Sequence, residues 1–381
     1  MSAYGRPMAA PDRLATSQPF APLAWSATTP GRGLGRRQLL RLGAFGGLAL
    51  LAGCRGQGPQ LLAARGDLPA AWTSRLPRPW QLGLLDDPAA VIAARARASL
   101  LQLGDGWATD LPRSAFGPIG TPELLARLAP EAGPVSRLYA PEGGATLAFP
   151  WSCNPWVLLL RDRPDLQRRG SEGWDLLLDT SLRAKLVLPS SPRIAIALVD
   201  GDPERLRRLR RNVLAQDDRH GLSLLLSGAA EAVVLPRQRV VPLLRRDPRL
   251  SVILPEQGAP LGWSLLLRTT ATATTATSAT ITSASVTSAS VTATASAVIP
   301  PLEWLAAVLE PPLLPLLLAA GWVPPLPRAL LQRAVAPFPA VVANLLLPPA
   351  AVLARCRELP PLAVAERAAL QALWDGAAPA T

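Results

Sequence analysis

The chain contains a single histidine, His220, and a single lysine, Lys185. One imidazole excludes a triad built on several histidines and a multi-histidine metal centre. No Gly-x-Ser-x-Gly elbow, no phosphate-binding Gly-x-x-x-x-Gly-Lys loop and no closely spaced cysteine pair occurs. Enzyme chemistry is therefore a minority reading, and no cofactor or metal site is expected. Of the three cysteines, Cys54 has a separate role described below. Cys153 and Cys356 are left either as a disulfide or as two free thiols, because sequence alone does not set their separation.

The shortage of lysine also changes how the charge reads. The 39 basic residues include one lysine, so 38 are arginine, and the net charge is +12. The arginine bias accompanies abundant Ala, Pro and Leu, so it reflects composition, and no nucleic-acid partner is expected. The first 53 residues hold six arginines and one acid, +5 in all, leaving +7 on the remainder. Such a field favours anions or acidic membrane surfaces. Proline is plentiful: 42 residues, about twice the usual share, which predicts short elements and rigid loops.

Residues 1–35 show no hydrophobic period. Gly35-Arg36-Arg37-Gln38-Leu39-Leu40-Arg41 then precedes an apolar run to Gly53, ending Leu51-Ala52-Gly53-Cys54. A basic segment before a short apolar one is the pattern of a secretory signal peptide. The paired arginines resemble a twin-arginine signal, and Leu-Ala-Gly-Cys resembles a lipobox, with Cys54 taking the lipid. The competing reading is a buried N-terminal helix with an incidental cysteine; the lipobox is favoured. The expectation is an exported protein, anchored through Cys54 and facing the periplasm.

The 328 residues after the leader suffice for two lobes. Short apolar strands alternate with helical stretches: Leu61–Ala63, Trp80–Leu85, Ser99–Leu103, Leu186–Leu188, Ala232–Leu235 and Ser251–Leu254 read as strands. The expected class is α/β, each lobe a mixed sheet flanked by helices. In such sheets ligands sit at the carboxyl ends of strands. That rule singles out Asp105 and Trp107, Ser190 and Ser191, and Arg237. The Asp105–Trp107 loop reads equally as a simple turn with a packed Trp. Helix 203–215 carries Leu206, Leu209 and Val213 on one face and five arginines on the other. The arginine face reads as a solvated surface, with docking to anionic lipid or a permease as the sharper alternative. Residues 269–298 contain only Ala, Thr, Ser, Ile and Val and read as a low-complexity surface insertion. The apolar run of the last helix (Ala369, Leu370, Leu373, Trp374) is expected to dock on the first lobe.

Several stretches resemble bacterial extracytoplasmic solute-binding proteins of ABC importers, of the spermidine/putrescine type. Trp174, Asp175, Leu176, Asp179, Arg183, Lys185, Leu186, Leu188, Pro189 and Arg193 fit one passage, with Ala184 where glycine is usual. Phe149-Pro150-Trp151-Ser152-Cys153-Asn154-Pro155-Trp156 resembles the first crossover between lobes. Pro255, Gly258 and Trp263 fit the return crossover, with Glu256 one place early, and Gly321-Trp322-Val323-Pro324 resembles a motif packed near the hinge. The resemblance implies a type II-like binding-protein fold: leader 1–53, first lobe 54–154, second lobe 155–261, and a return to the first lobe over 262–381. It implies a monomer that closes on a polyamine, delivers it to an ABC permease, and lines its cleft with Trp151, Ser152, Asn154, Trp156, Glu256 and Trp263. Acids common in that family after the strands at 186–188 and 232–235 are replaced here by Ser190-Ser191 and Pro236-Arg237-Gln238. An anionic or other small solute, or a binding-degenerate envelope scaffold, is the alternative.

Overall fold

The computed structural model describes residues 58–270 and 298–378. The leader, Cys54 and the tract 271–297 lie outside the described residues. Eleven strands occur among the described residues: β1 (Gln60–Ala64), β2 (Gln81–Leu85), β3 (Leu100–Gly104), β4 (Phe116–Gly117), β5 (Ala148–Arg161), β6 (Leu186–Leu188), β7 (Val213–Gln216), β8 (Ala232–Pro236), β9 (Leu250–Ile253), β10 (Pro260–Thr269) and β11 (Arg357–Glu358). They run in the order β2-β1-β3-β10-β5-β8-β6-β7, with β4 and β11 on β10 and β9 on β5.

The layout has two halves. β1 pairs in parallel with β2 and β3, and β6 pairs in parallel with β7 and β8. Between them β10 and β5 run antiparallel. β5 belongs to both halves: Ala148–Pro155 lie against β10, and Trp156–Leu160 against β8. The aromatic-rich stretch around Trp151 is thus the first crossing between halves. The second crossing is the link from β9 to β10, where Trp174 Nε1 donates to the Gly258 carbonyl at 2.8 Å. Gly258 has φ +85°, and a Cβ there would lie 2.2 Å from the Arg355 carbonyl oxygen, so glycine is required.

Proline sets the element lengths. Pro88, Pro122, Pro164, Pro192 and Pro203 each stand in the first turn of a helix, where the missing N–H costs no bond. Asp87, Thr121 and Asp202 cap three of these helices by accepting from a backbone N–H. Ala184 keeps φ +55° in place of the usual glycine. We expect Ala184→Gly to stabilise the fold by about 1 kcal/mol, because relief of left-handed strain exceeds the added chain entropy. Urea denaturation checks this; a destabilised variant would contradict it.

One apolar cluster runs beneath both halves, from Leu61 and Trp72 through Trp151 and Trp322 to Val187 and Val233. Separate clusters fill the first half (Leu101, Trp263) and the second (Leu158, Trp174). The last helix, Val364–Gly376, corrects an expectation. Its Trp374 is buried in the second-half cluster, with Leu370 and Leu373 against it and the Arg210 guanidinium 4.1 Å over the ring. Helix Pro192–Ala197 completes this apolar stripe. Its ion pair to the first half is the half-exposed Arg367–Asp110 contact. Residues 355–363 therefore form a third crossing: β11 adds to β10, and Arg193 of the second half donates to the carbonyls of Leu359 (3.3 Å) and Pro360 (2.5 Å).

Candidate functional site

The carboxyl ends of the parallel strands in the two halves face each other. β1 delivers Asp67, β2 delivers Asp86 and Asp87, and β3 delivers Asp105. Opposite them lie Ser190 after β6, Asp218 after β7, and Arg237 and Arg239 in and after the short helical turn that follows β8. Arg219 spans the gap, donating to the Asp86 carbonyl at 3.2 Å and lying 3.7 Å from the Asp87 carboxylate. Arg239 donates to the carbonyls of Asp218 and Arg219. Ser190 and Asp218 are mutually bound: the Ser190 N–H donates to the Asp218 carboxylate (3.1 Å), and the Asp218 N–H donates to the Ser190 hydroxyl (3.2 Å). Burial pushes the Asp67 carboxyl up to about 6, and Arg239 partly offsets this.

Where β3, β10 and β5 lie side by side, the register aligns Gly104, Ser264 and Ser152, and next to them Gly262 and Asn154. Cross-strand partners share a face of the sheet. This face is floored by small residues. A Cβ on Gly104 would meet only the Trp263 carbonyl (3.8 Å) and Trp107 Cδ1 (3.9 Å). One on Gly262 would meet only the Asn154 carbonyl and Trp156 Nε1, both at 3.9 Å. Trp107, 42% exposed, thus stands at one end of the floor and the half-buried Trp156 at the other. Asn154 Nδ2 donates to the Ser152 hydroxyl at 3.0 Å, while Asn154 Oδ1, in a side chain only 3% exposed, has no partner.

The expected site residues therefore divide. Trp107, Ser152, Asn154 and Trp156 come together at this floor. Ser190 lies across the gap, and Ser191 is half-buried at the start of helix Pro192–Ala197 without capping it. Trp151 is wholly buried, 5.0 Å from Trp72 and 4.8 Å from Trp322 between ring centroids, so it packs the crossing. Trp263 is buried in the first-half cluster. Arg237 is buried as well and donates to the carbonyls of Cys153 (2.6 Å), Leu345 (3.2 Å) and Leu346 (2.9 Å). Glu256 is exposed on the second crossing, where its backbone carbonyl accepts from Arg355. Cys153 and Cys356 are both free thiols.

Asp105 is 5% exposed and serves the first half internally. Its carboxylate accepts from the Tyr139 hydroxyl (3.2 Å) and the Trp263 N–H (3.3 Å). Burial raises it to about 6, against the pull of those bonds. A carboxyl raised on folding binds its proton more tightly in the native state. Stability therefore falls as pH rises from about 4 to about 6, by about 3 kcal/mol, and stays lowered above that. Asp105→Asn keeps the shape and is neutral. We expect it to raise the melting temperature at pH 7.5 and to leave it nearly unchanged at pH 4; equal shifts at both would refute this account of Asp105.

Sequence reasoning missed Asp67, Arg219 and Arg239, and gave Arg193 no role beyond its place in the resemblance. Asp67 reads as a helix cap, yet helix Ala70–Thr73 has no side-chain cap. The carboxyl-end rule, applied to β1 as it was to β3, points to it. The arginines give no such signal in a chain so rich in arginine. Among the described residues no group of three or more His, Cys, Asp or Glu side chains could hold a metal ion.

Two mixed, helix-flanked sheet halves, joined by long crossings with strand ends facing across a gap, define the periplasmic-binding-protein fold. Solved structures agree. The spermidine/putrescine ABC transporter substrate-binding protein PotD of Streptococcus pneumoniae superposes with a TM-score of 0.62 at 11% identity, covering 84% of this chain and 98% of its own. The ferric binding protein of Campylobacter jejuni gives 0.55 at 11% identity, covering 84% and 99%. The Tp0655 (TpPotD) lipoprotein of Treponema pallidum gives 0.53 at 10% identity, with the same coverage. No protein-family model and no curated protein matches the chain.

Proposed function

We propose that the chain is the substrate-binding component of an ABC importer. It would capture a small polar solute between its two halves and present it to a membrane permease. In this reading the chain is exported, acts as a monomer and is held at the membrane by lipid on Cys54. The observation that carries it is the floor of Gly104, Ser264 and Gly262, flanked by Trp107 and Trp156 where β5 passes between the halves. A site with one wall from each half couples occupancy to closure, because a ligand touching both walls favours the closed arrangement.

The polyamine expectation keeps its aromatic groups and loses its carboxylates. Trp107 and Trp156 remain available to an alkyl stem or a cation. Asp105 is engaged with Tyr139 and Trp263, and Glu256 stands exposed on the second crossing. One observation favours the scaffold reading instead: Arg219 joins the halves directly, donating to the Asp86 carbonyl.

A thermal-shift panel separates the readings, because a ligand bound to the native state raises the melting temperature by mass action. The panel holds spermidine, putrescine, amino acids, phosphate, citrate, ferric citrate, mannitol and maltose. At 100 times the dissociation constant the stabilisation is about 2.7 kcal/mol, a shift of several degrees. A shift with at least one solute is the expected result. A flat panel would overturn the capture reading and favour the scaffold.

A further inference from the structure

We propose that the floor of this site takes an uncharged, hydroxyl-bearing solute, a sugar or polyol, held between Trp107 and Trp156 with a hydroxyl on Asn154. The inference rests on the solute-capture reading and narrows its ligand class.

Three observations carry it. First, the buried polar groups at the floor are neutral. Ser152 and Asn154 bond to each other, and one polar atom of the Asn154 amide has no partner. Gln102, two residues before Gly104 on the same face and 2% exposed, has its own unpartnered amide oxygen. A buried polar atom left unpaired is costly, so a ligand group that pairs with it is favoured. A hydroxyl both donates and accepts, so it satisfies the Asn154 amide whichever way the amide is turned. An ammonium only donates and a carboxylate only accepts.

Second, the charge beneath the floor is unbalanced. Arg237 is fully buried, and its guanidinium donates to three backbone carbonyls, among them that of Cys153, the residue before Asn154. A cation brought to the floor would add to an uncompensated buried guanidinium. The carboxylate that could offset it, Asp105, is occupied on both oxygens. An anion would have to leave water for a floor whose own side chains carry no charge: both terminal nitrogens of Arg237 are on carbonyls, and its unpaired Nε–H lies buried beneath the strand.

Third, two indoles flank a floor of glycines and small polar side chains. Flat aromatic faces about so shallow a floor suit a solute whose C–H face packs on a ring while its hydroxyls reach the polar groups.

The test is calorimetric titration of the full chain with maltose, mannitol and myo-inositol, and with spermidine, putrescine and citrate. At least one hydroxylated probe is expected to bind, and none of the charged ones. Asn154→Ala should weaken that binding about fivefold to tenfold, the loss of one neutral hydrogen bond. Trp107→Ala should weaken it at least tenfold; this side chain is exposed, so the variant folds whatever Asn154→Ala does to stability. Binding of a charged probe alone would overturn the inference and leave solute capture standing. A hydroxylated probe whose affinity neither substitution changes would also overturn it. Absence of binding by every probe would overturn the inference, and the wider thermal-shift panel then decides whether solute capture stands.

Discussion

Arg237→Ala is expected to destabilise the fold by about 3 kcal/mol. The guanidinium leaves three carbonyls behind, those of Cys153, Leu345 and Leu346. Each buried acceptor without a donor costs roughly 1 kcal/mol or more, and truncating so long a buried side chain adds a cavity. Against this stands the desolvation of the guanidinium itself, which burial makes less basic, with a pKa of about 10, and which the substitution relieves. Arg237→Met separates these contributions. It keeps most of the volume, so the deficit that persists, about 2 kcal/mol, belongs to the orphaned carbonyls. Arg237→Lys should recover little, because one ammonium cannot reach carbonyls on β5 and on helix Ala340–Leu346 together. Urea midpoints at constant m-value report all three. An Arg237→Ala variant within 0.5 kcal/mol of the parent would mean that water replaces the fork and that Arg237 does not tie the first crossing to the helices.

Trp72→Ala should cost more, about 4 kcal/mol. Trp72 and Trp304 stack at 4.2 Å with planes 14° apart. Each indole N–H donates to the other residue's backbone carbonyl, at 2.9 Å and 3.0 Å. Trp72 also contacts Trp151, which contacts Trp322, so four rings run from the first helix to the crossing strand. Trp304→Ala should cost about the same, and the double variant clearly less than the sum. A coupling of 1 kcal/mol or more in a double-mutant cycle is the expected reading, since either single change already removes the shared stack and leaves the partner's backbone carbonyl without its indole donor. Strict additivity would contradict the paired arrangement.

What was legible in the sequence follows the range of the interactions. Leu186–Leu188 is a short apolar run ended by proline, and it forms β6 as read. The strands at 61–63, 80–85, 99–103 and 232–235 follow the same local signal. Both crossings were marked by clustered aromatics, prolines and glycine. The Gly321–Pro324 motif does pack at the hinge, where the Val323 carbonyl accepts from the Cys153 N–H at 3.1 Å. Side-chain direction was not legible. Trp151 and Trp156 stand five residues apart in one strand, yet one is core and the other flanks the floor. The odd spacing puts them on opposite faces of the strand, but which face becomes the floor is set by the pairing with β10, whose register shifts between Ser264 and Leu265. Arg237 sits at the carboxyl end of a strand, as the rule requires, but turns beneath the crossing towards helix Ala340–Leu346, more than a hundred residues away in sequence. The third crossing was missed for the same reason: Arg193 meets Leu359 and Pro360 only once the chain has folded.

The central claim is that the two halves close on a solute held at the Gly104–Ser264–Gly262 floor. The most direct test is small-angle X-ray scattering of the full chain, without solute and with a saturating amount of whichever solute binds by calorimetry, for the parent and for Arg219→Ala. Arg219→Ala removes the direct bridge to Asp86 and Asp87, so without solute it should populate a more open form with a larger radius of gyration than the parent. Saturating solute should return it to the compact value. A variant as compact without solute as with it, while the solute demonstrably binds, would contradict closure and leave a rigid binding protein in its place.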